Sequence, residues 1–233
     1  MFDFDSVVRY SETDFNDKLN ISGVIDYFQD CSTMQSESLG VGVEALHEKN
    51  LVWVLSTWNV EVYRYPKLGE KITIGTFPYD YRGFFGKRNF LIKDEAGTIV
   101  AAADTLWTLL DYEKNIPVRA DGEIVSGFIC EEKLDMEYKK GKIALPQDMT
   151  EAFCVRADWT MLDANMHVNN CRYIKLALSC IEPLEYKRAR VEYRKMAREG
   201  DMLHFYKKEE ESRIVTVCRD DAGDTYAVME FEK

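Results

Sequence analysis

The 233-residue sequence predicts an α+β chain in which one module, a helix followed by a run of antiparallel strands, is written twice. The first observation behind this is a repeat. Asp14-Phe15-Asn16-Asp17-Lys18-Leu19-Asn20 lines up with Asp163-Ala164-Asn165-Met166-His167-Val168-Asn169 at an offset of 149. Val60-Glu61 and Gly69-Glu70 line up with Val191-Glu192 and Gly200-Asp201 at 131, and Ala96-Gly97 with Ala222-Gly223 at 126. The matches keep their order while the offsets only shrink, as expected of a duplicated unit with shorter connections in its second copy. The second observation is the same order of periodicities in each half, helical and then alternating. One helix cannot cover a five-stranded sheet alone, so two copies are expected to pair and complete the core.

In the first module Ser22 is placed to cap a helix whose apolar positions Val24, Ile25, Phe28, Cys31 and Leu39 keep the helical period. Gly40 ends it. Strands are expected over 51–65, 70–81, 84–93 and 97–112, with Asp94-Glu95-Ala96-Gly97 as a hairpin turn. Val52, Val54, Trp58, Val60 and Val62 set one face of the first of these strands. In the second module a strand near 152–158 precedes a helix over 170–181, which Pro183 follows. Ile174, Ala177, Leu178 and Ile181 form its apolar stripe, and strands are expected over 188–197, 201–208, 213–219 and 225–231. Between the modules, the charged run 131–140 reads as part of a solvated connector. The expected division is a first module over 1–118, a connector over 119–149 and a second module over 150–233.

Bulk composition narrows the function classes. A hydrophobic fraction of 46% is ample for a core, and a net charge of -11 disfavours nucleic acid and anionic membranes as partners. The six cysteines are dispersed with no CxxC pair, which favours reduced thiols in a cytoplasmic setting. The opening MFDFDSVVRYSETDF lacks the pattern of a signal peptide, and no apolar stretch approaches the ~20 residues that span a bilayer. GxSxG, P-loop and HExxH motifs are missing, and His47, His167 and His204 are widely separated. No metal and no cofactor is expected.

One segment, 158–170, concentrates chemistry. Asp163, Asn165 and His167 alternate there, a spacing that sends all three side chains to one side of an extended or looped backbone. They sit just before a predicted helix, whose free N–H groups stabilise a developing oxyanion. A histidine that takes a proton from water, an amide that orients substrate and backbone donors are what thioester hydrolysis needs. From spacing alone the plainer reading stands beside it: Asp and Asn before a helix often cap it, and a lone histidine is often structural. The first copy has Lys18 where the second has His167, so any active site is asymmetric.

The stretch LDANMHVNNCRYI resembles the D-x-N-x-H-V-N-N-x-x-Y-I signature of acyl-ACP thioesterases, enzymes that end fatty-acid synthesis. LVWVLSTWNVEVYRYPKLGEKITIGTFP and WTLLDYEKNIPVR resemble segments of the same family's first half. The resemblance implies two tandem hotdog folds, each a helix wrapped by an antiparallel sheet, with the acyl chain in a tunnel associated with the first. It matches Asp163, Asn165 and His167 to the catalytic residues: His167 and Asn165 position water and substrate, and Asp163 serves as base or nucleophile. The family's E-Y-R-R-E-C segment falls on Glu192 to Ala197, so its later glutamate is replaced by Met196. The implied partner is acyl carrier protein bearing a phosphopantetheine-linked acyl chain. Hydrolysis of acyl-CoA and non-catalytic acyl binding are the competing readings, and a homodimer of such chains is compatible with all three.

Charge adds one expectation. Residues 186–198 hold Lys187, Arg188, Arg190, Arg194, Lys195 and Arg198 against the single acid Glu192. On a strand Arg188, Arg190 and Arg194 lie opposite the apolar set Ala189, Val191 and Tyr193, and this basic face is expected to dock the acidic carrier.

Overall fold

The computed structural model describes residues 1–233, which divide into two units, Met1–Tyr138 and Lys139–Lys233. The first contains β1 (Phe2–Val7), α1 (Ile21–Ser38), α2 (Val43–His47), β2 (Leu51–Val62), β3 (Lys71–Arg82), β4 (Phe85–Asp94), β5 (Ile99–Asp111), β6 (Ile116–Pro117) and α3 (Glu123–Ser126). Its antiparallel sheet runs β1-β3-β4-β5-β2, with β6 added to β5. Four of these elements were not expected: β1, α2, β6 and α3. β1 pairs with β3 and buries Phe2 and Phe4 only partly, and α2, at five residues, is too short for its period to be read.

Helix α1 starts two residues earlier than expected. Asn20, not Ser22, is the cap: its side chain accepts the Gly23 amide at 3.0 Å, while the Ser22 hydroxyl donates to it from within the first turn. Leu39 closes the helix, and Gly40 follows with φ +70°, a conformation that glycine takes without Cβ strain. Val24, Ile25, Phe28 and Cys31 are fully buried, and Phe28 packs against Trp58 and Phe90 with ring centroids 6.1 and 5.3 Å away.

The face of β2 differs from the simple alternation. A bulge between Leu55 and Thr57 adds one residue, so that Leu51, Trp53 and Leu55 share the face of Trp58, Val60 and Val62. Val52 and Val54 therefore fall on the other side. Leu51 and Trp53 instead pack against a buried cluster of Leu46, Leu109, Ala120 and Ile124.

The second unit contains β7 (Thr150–Arg156), α4 (Asn170–Leu178), β8 (Arg188–Tyr193), β9 (Met202–Glu209), β10 (Arg213–Arg219) and β11 (Thr225–Glu232). Its antiparallel sheet runs β8-β11-β10-β9-β7. Cys171, Tyr173, Ile174 and Ala177 turn the apolar side of α4 inward, and Tyr173 packs near the rings of Tyr193 and Tyr226.

The repeat in the sequence is a repeat in hydrogen bonds. Gly69 and Gly200, both with positive φ, donate to the Val8 and Ala157 carbonyls at 2.9 and 2.8 Å. Gly97 and Gly223 donate to the Asp94 and Asp220 carbonyls at 2.9 and 3.0 Å, and the preceding alanine amides bond to those aspartate side chains. Each aligned pair thus occupies the same turn in its own unit.

The charged segment between the modules is not a solvated tether. Over the first unit the Leu134 amide and the Tyr138 hydroxyl both donate to Asn89 Oδ1, at 3.1 and 2.9 Å, and Asn59 donates to the Glu137 carbonyl at 2.6 Å. In the second unit Ile143 is buried against Val215, Val217 and Val228. The segment uses its few apolar and backbone groups to cover sheet and turns its charges outward, which composition alone does not reveal. None of the six cysteines is in a disulfide, and no helix is long and apolar enough to cross a membrane.

Candidate active site

Strand β7 delivers the chain to the segment that carries Asp163, Asn165 and His167. Asp158 ends the approach by accepting the Thr160 amide at 2.8 Å, which starts a single 3-10 turn over Trp159–Met161. A narrow loop follows, closed by an antiparallel bridge between Leu162 and Val168. The Asp163 amide donates to the His167 carbonyl at 2.9 Å, and the Met166 amide to the Asp163 carbonyl at 3.0 Å. The Asp163 side chain accepts the Asn165 amide at 2.8 Å, an Asx turn, and Met166 takes φ +60° to complete the reversal.

The backbone is therefore a turn, not an extended stretch, yet the alternation survives. Asp163 and Asn165 are half-buried and His167 is only 7% exposed, whereas Ala164 and Met166 between them are exposed. The loop leads straight into α4. Asn169 caps that helix by accepting the Cys171 amide at 2.9 Å, and its carbonyl takes the Arg172 amide at 2.9 Å.

The equivalent loop in the first unit has the same bonds. Asp14 donates to the Lys18 carbonyl at 2.8 Å and accepts the Asn16 amide at 2.8 Å, Asp17 has φ +57°, and Thr13 bridges Leu19. The scaffold is common to both copies; the imidazole belongs to the second alone.

Two features near His167 went unread in the sequence. The Val168 amide donates to the Ala197 carbonyl at 2.9 Å, which brings the residues after β8 against the loop. Arg198 lies in that segment. Burial lowers the His167 pKa from its ordinary value, Arg198 lowers it further, and Asp163 pulls the other way. The signal for this was the repeat at offset 131, because Ala197 takes the place of Pro66, whose carbonyl accepts the Leu19 amide at 2.8 Å.

Met196 is 42% exposed, directly before Ala197. Glu192 is buried on β8, where it accepts the Ile143 amide and pairs with Arg194 at 2.9 Å. Its carboxylate is already committed and does not stand in for a glutamate at 196.

The basic face of β8 is less open than its sequence suggests. Arg188 pairs with Glu232 at 2.8 Å, and Arg190 sits 3.5 Å from Glu230 while donating to the Gly141 carbonyl. Their side chains are 19% and 14% exposed, against 32% for Arg194, which lies just past the strand end.

Comparison with known proteins places this arrangement. The acyl-ACP thioesterase N-terminal domain matches residues 1–128, and the acyl-ACP thioesterase C-terminal domain matches residues 144–231. A chloroplastic palmitoyl-acyl carrier protein thioesterase of Gossypium hirsutum is 27% identical over 206 residues, covering 81% of this chain and 50% of that protein. Oleoyl-acyl carrier protein thioesterase 1 of Arabidopsis thaliana is 21% identical, covering 84% of this chain and 60% of that one. The chain spans about half the length of the first curated relatives it matches. Among solved structures, an acyl-ACP thioesterase from Bacteroides thetaiotaomicron aligns with a TM-score of 0.88 at 24% identity, over 99% of this chain and 96% of that one. A 12:0-ACP thioesterase from Umbellularia californica gives 0.86 at 21% identity, over 99% and 96%. These likenesses show the fold, two hotdogs in one polypeptide.

Proposed function

This chain belongs to the acyl-ACP thioesterase family, and on that premise we propose that it hydrolyses the thioester of an acyl chain carried on acyl carrier protein, releasing the free fatty acid. The observation that carries the proposal is the loop in which Asp163, Asn165 and His167 alternate on its less exposed side, next to the start of α4. His167 and Asn165 hold water and substrate, and the Asp163 carboxylate takes the proton as the water oxygen attacks the carbonyl carbon. The C–S bond then breaks, and the carrier's thiolate leaves and is reprotonated. An imidazole held neutral by burial is suited to orienting water, because one ring nitrogen keeps a lone pair. Of the first amides of α4, Cys171 and Arg172 are spent on Asn169, and the Asn170 amide is the donor assigned to the developing oxyanion.

The carrier docks, in this reading, on the basic segment around β8, with Arg194 as the most exposed of the three arginines assigned to it. Six cysteines outside disulfides support a reducing, cytoplasmic compartment.

The test is hydrolysis by the purified protein across a panel of acyl-carrier and acyl-CoA thioesters, alongside His167→Ala and Asn165→Ala. Turnover favouring carrier substrates, reduced by about 100-fold or more in either variant, is the expected result. Preference for acyl-CoA would move the substrate class. Acyl binding without turnover would mean that the replacement of the family glutamate by Met196 has left a binding protein.

A further inference from the structure

Outside the catalytic loop, a second group of ligating side chains converges in the second unit. Glu151 and Cys154 are three residues apart on β7, a spacing that on a regular strand sends side chains to opposite faces. Here the register of β7 against β9 shifts between Glu151 and Phe153, so that Glu151 lies opposite Tyr206 and Cys154 opposite His204. Tyr206 and His204 share a face of β9, and the bulge thus turns Glu151 and Cys154 to the same side. Glu151 Oε1 lies 2.9 Å from His204 Nδ1, and single ligand atoms of Glu151, Cys154 and His204 all fall within 4.8 Å of one another.

A second observation concerns the other ring nitrogen. His204 Nε2 lies 2.8 Å from Asp221 Oδ1, in the turn after β10. Each ring nitrogen thus donates to a carboxylate, Nδ1 to Glu151 and Nε2 to Asp221. A metal ion would take the place of the Nδ1 proton, on the side of Glu151 and Cys154, while Asp221 keeps the Nε2 proton. Carboxylate, imidazole and ion in line is the arrangement that orients histidine ligands at zinc sites.

We propose that Glu151, Cys154 and His204 bind a zinc ion, with Asp221 holding His204 in its ligating orientation and water completing the tetrahedron. One thiolate, one imidazole and one carboxylate form a donor set that zinc accepts and that magnesium or calcium, which prefer all-oxygen surroundings, does not. Binding displaces the thiol proton of Cys154 and the Nδ1 proton of His204, two protons leaving per ion, and changes no oxidation state. The role is structural. The ion ties β7, the edge strand of its sheet, to β9, and Cys154 lies only nine positions before Asp163. The three histidines are far from one another in the sequence, and the proposed co-ligands of His204 come from the neighbouring strand β7.

The full chain, stripped with EDTA, is titrated with Co²⁺ and then Zn²⁺. One equivalent of Co²⁺ should bind with a thiolate-to-metal absorption band, and Zn²⁺ should displace it. Zinc should protect one thiol from alkylation, Cys154, while Cys130, the other exposed cysteine, reacts unchanged. Cys154→Ser and His204→Ala should each weaken zinc binding more than tenfold and remove the zinc-dependent rise in melting temperature. Asp221→Asn, at an exposed turn, should weaken it by about 10- to 100-fold at the same stoichiometry. Circular dichroism checks that each variant is folded, and the alkylation result on the parent protein needs no variant. Absence of one-to-one uptake, a cobalt spectrum without the thiolate band, or zinc affinity unchanged in both Cys154→Ser and His204→Ala overturns the site.

Discussion

The Val168 amide donates to the Ala197 carbonyl across 2.9 Å, and this bond hangs the proposed catalytic loop on the segment that carries Met196. The Ala197 amide in turn donates to the Tyr173 hydroxyl at 3.2 Å, so helix α4 fixes the same segment from its other side. Position 196 is thus held near the loop while its side chain remains 42% exposed.

Met196→Glu follows from that placement. In the exposed surroundings of residue 196 a carboxylate keeps its hydration, so the stability change should stay within about 0.5 kcal/mol. If the family's glutamate serves to activate water, kcat rises while the melting temperature holds. A fall in kcat at unchanged stability would show that the site works with methionine in place.

Asp163→Asn separates chemistry from architecture. Asparagine keeps an oxygen to accept the Asn165 amide, so the Asx turn and the fold persist while the capacity to take a proton goes. Activity should fall by about 100-fold or more with an unchanged melt. Asp163→Ala should lose the turn as well and cost about 1 kcal/mol in urea unfolding. Full activity in Asp163→Asn would transfer the base to another group.

The pH dependence has a definite sign. His167 has a folded pKa below its ordinary 6.5, through burial first and Arg198 second. Between the folded value and 6.5 the unfolded chain binds more protons than the folded one, so stability rises with pH across that window. The contribution is full above 6.5 and is lost as pH falls toward the folded value. The acid limb of kcat/KM should accordingly lie below 6.5, and Arg198→Gln should move it upward by removing a like charge. A limb that stays put in Arg198→Gln would detach it from His167.

The sequence carried the loop and its copy because both are local. Asp14 and Asp163 each bond within five residues, and so the repeat could be seen residue by residue. What it hid is long-range. Nothing local announces that a bulge at residues 55–57 reverses which side of β2 faces the helix, or that Ala197 meets Val168. The ion pairs of Arg188 and Arg190 depend on the register of β8 against β11, which places them opposite Glu232 and Glu230.

The strap over the first unit makes Asn89 a test of stability without activity. Asn89 is fully buried; its oxygen takes the Leu134 amide and the Tyr138 hydroxyl, and its nitrogen donates to the Ala103 carbonyl at 3.0 Å. Asn89→Ala leaves these groups without that partner and should cost about 2–3 kcal/mol in urea unfolding, against about 1 kcal/mol for Tyr138→Phe. Equal, negligible costs would mean that the strap is held by other contacts.

The last prediction concerns docking of the carrier. Charge reversal at Arg188 or Arg190 would set carboxylates beside Glu232 and Glu230, so a loss of binding there would be confounded with a loss of fold. Neutral substitutions discriminate better. Arg188→Gln and Arg190→Gln should appear mainly as lower melting temperatures, because each strips a partner from a glutamate at the sheet. Arg194 is more exposed and its partner Glu192 keeps the Ile143 amide, so Arg194→Gln should leave the fold intact. If an acidic carrier docks there, KM for acyl-carrier substrates should rise several-fold and lose part of its salt sensitivity, with hydrolysis of a short carrier-free thioester unchanged. An equal loss on both substrates would assign Arg194 to the site or the fold and remove it from docking.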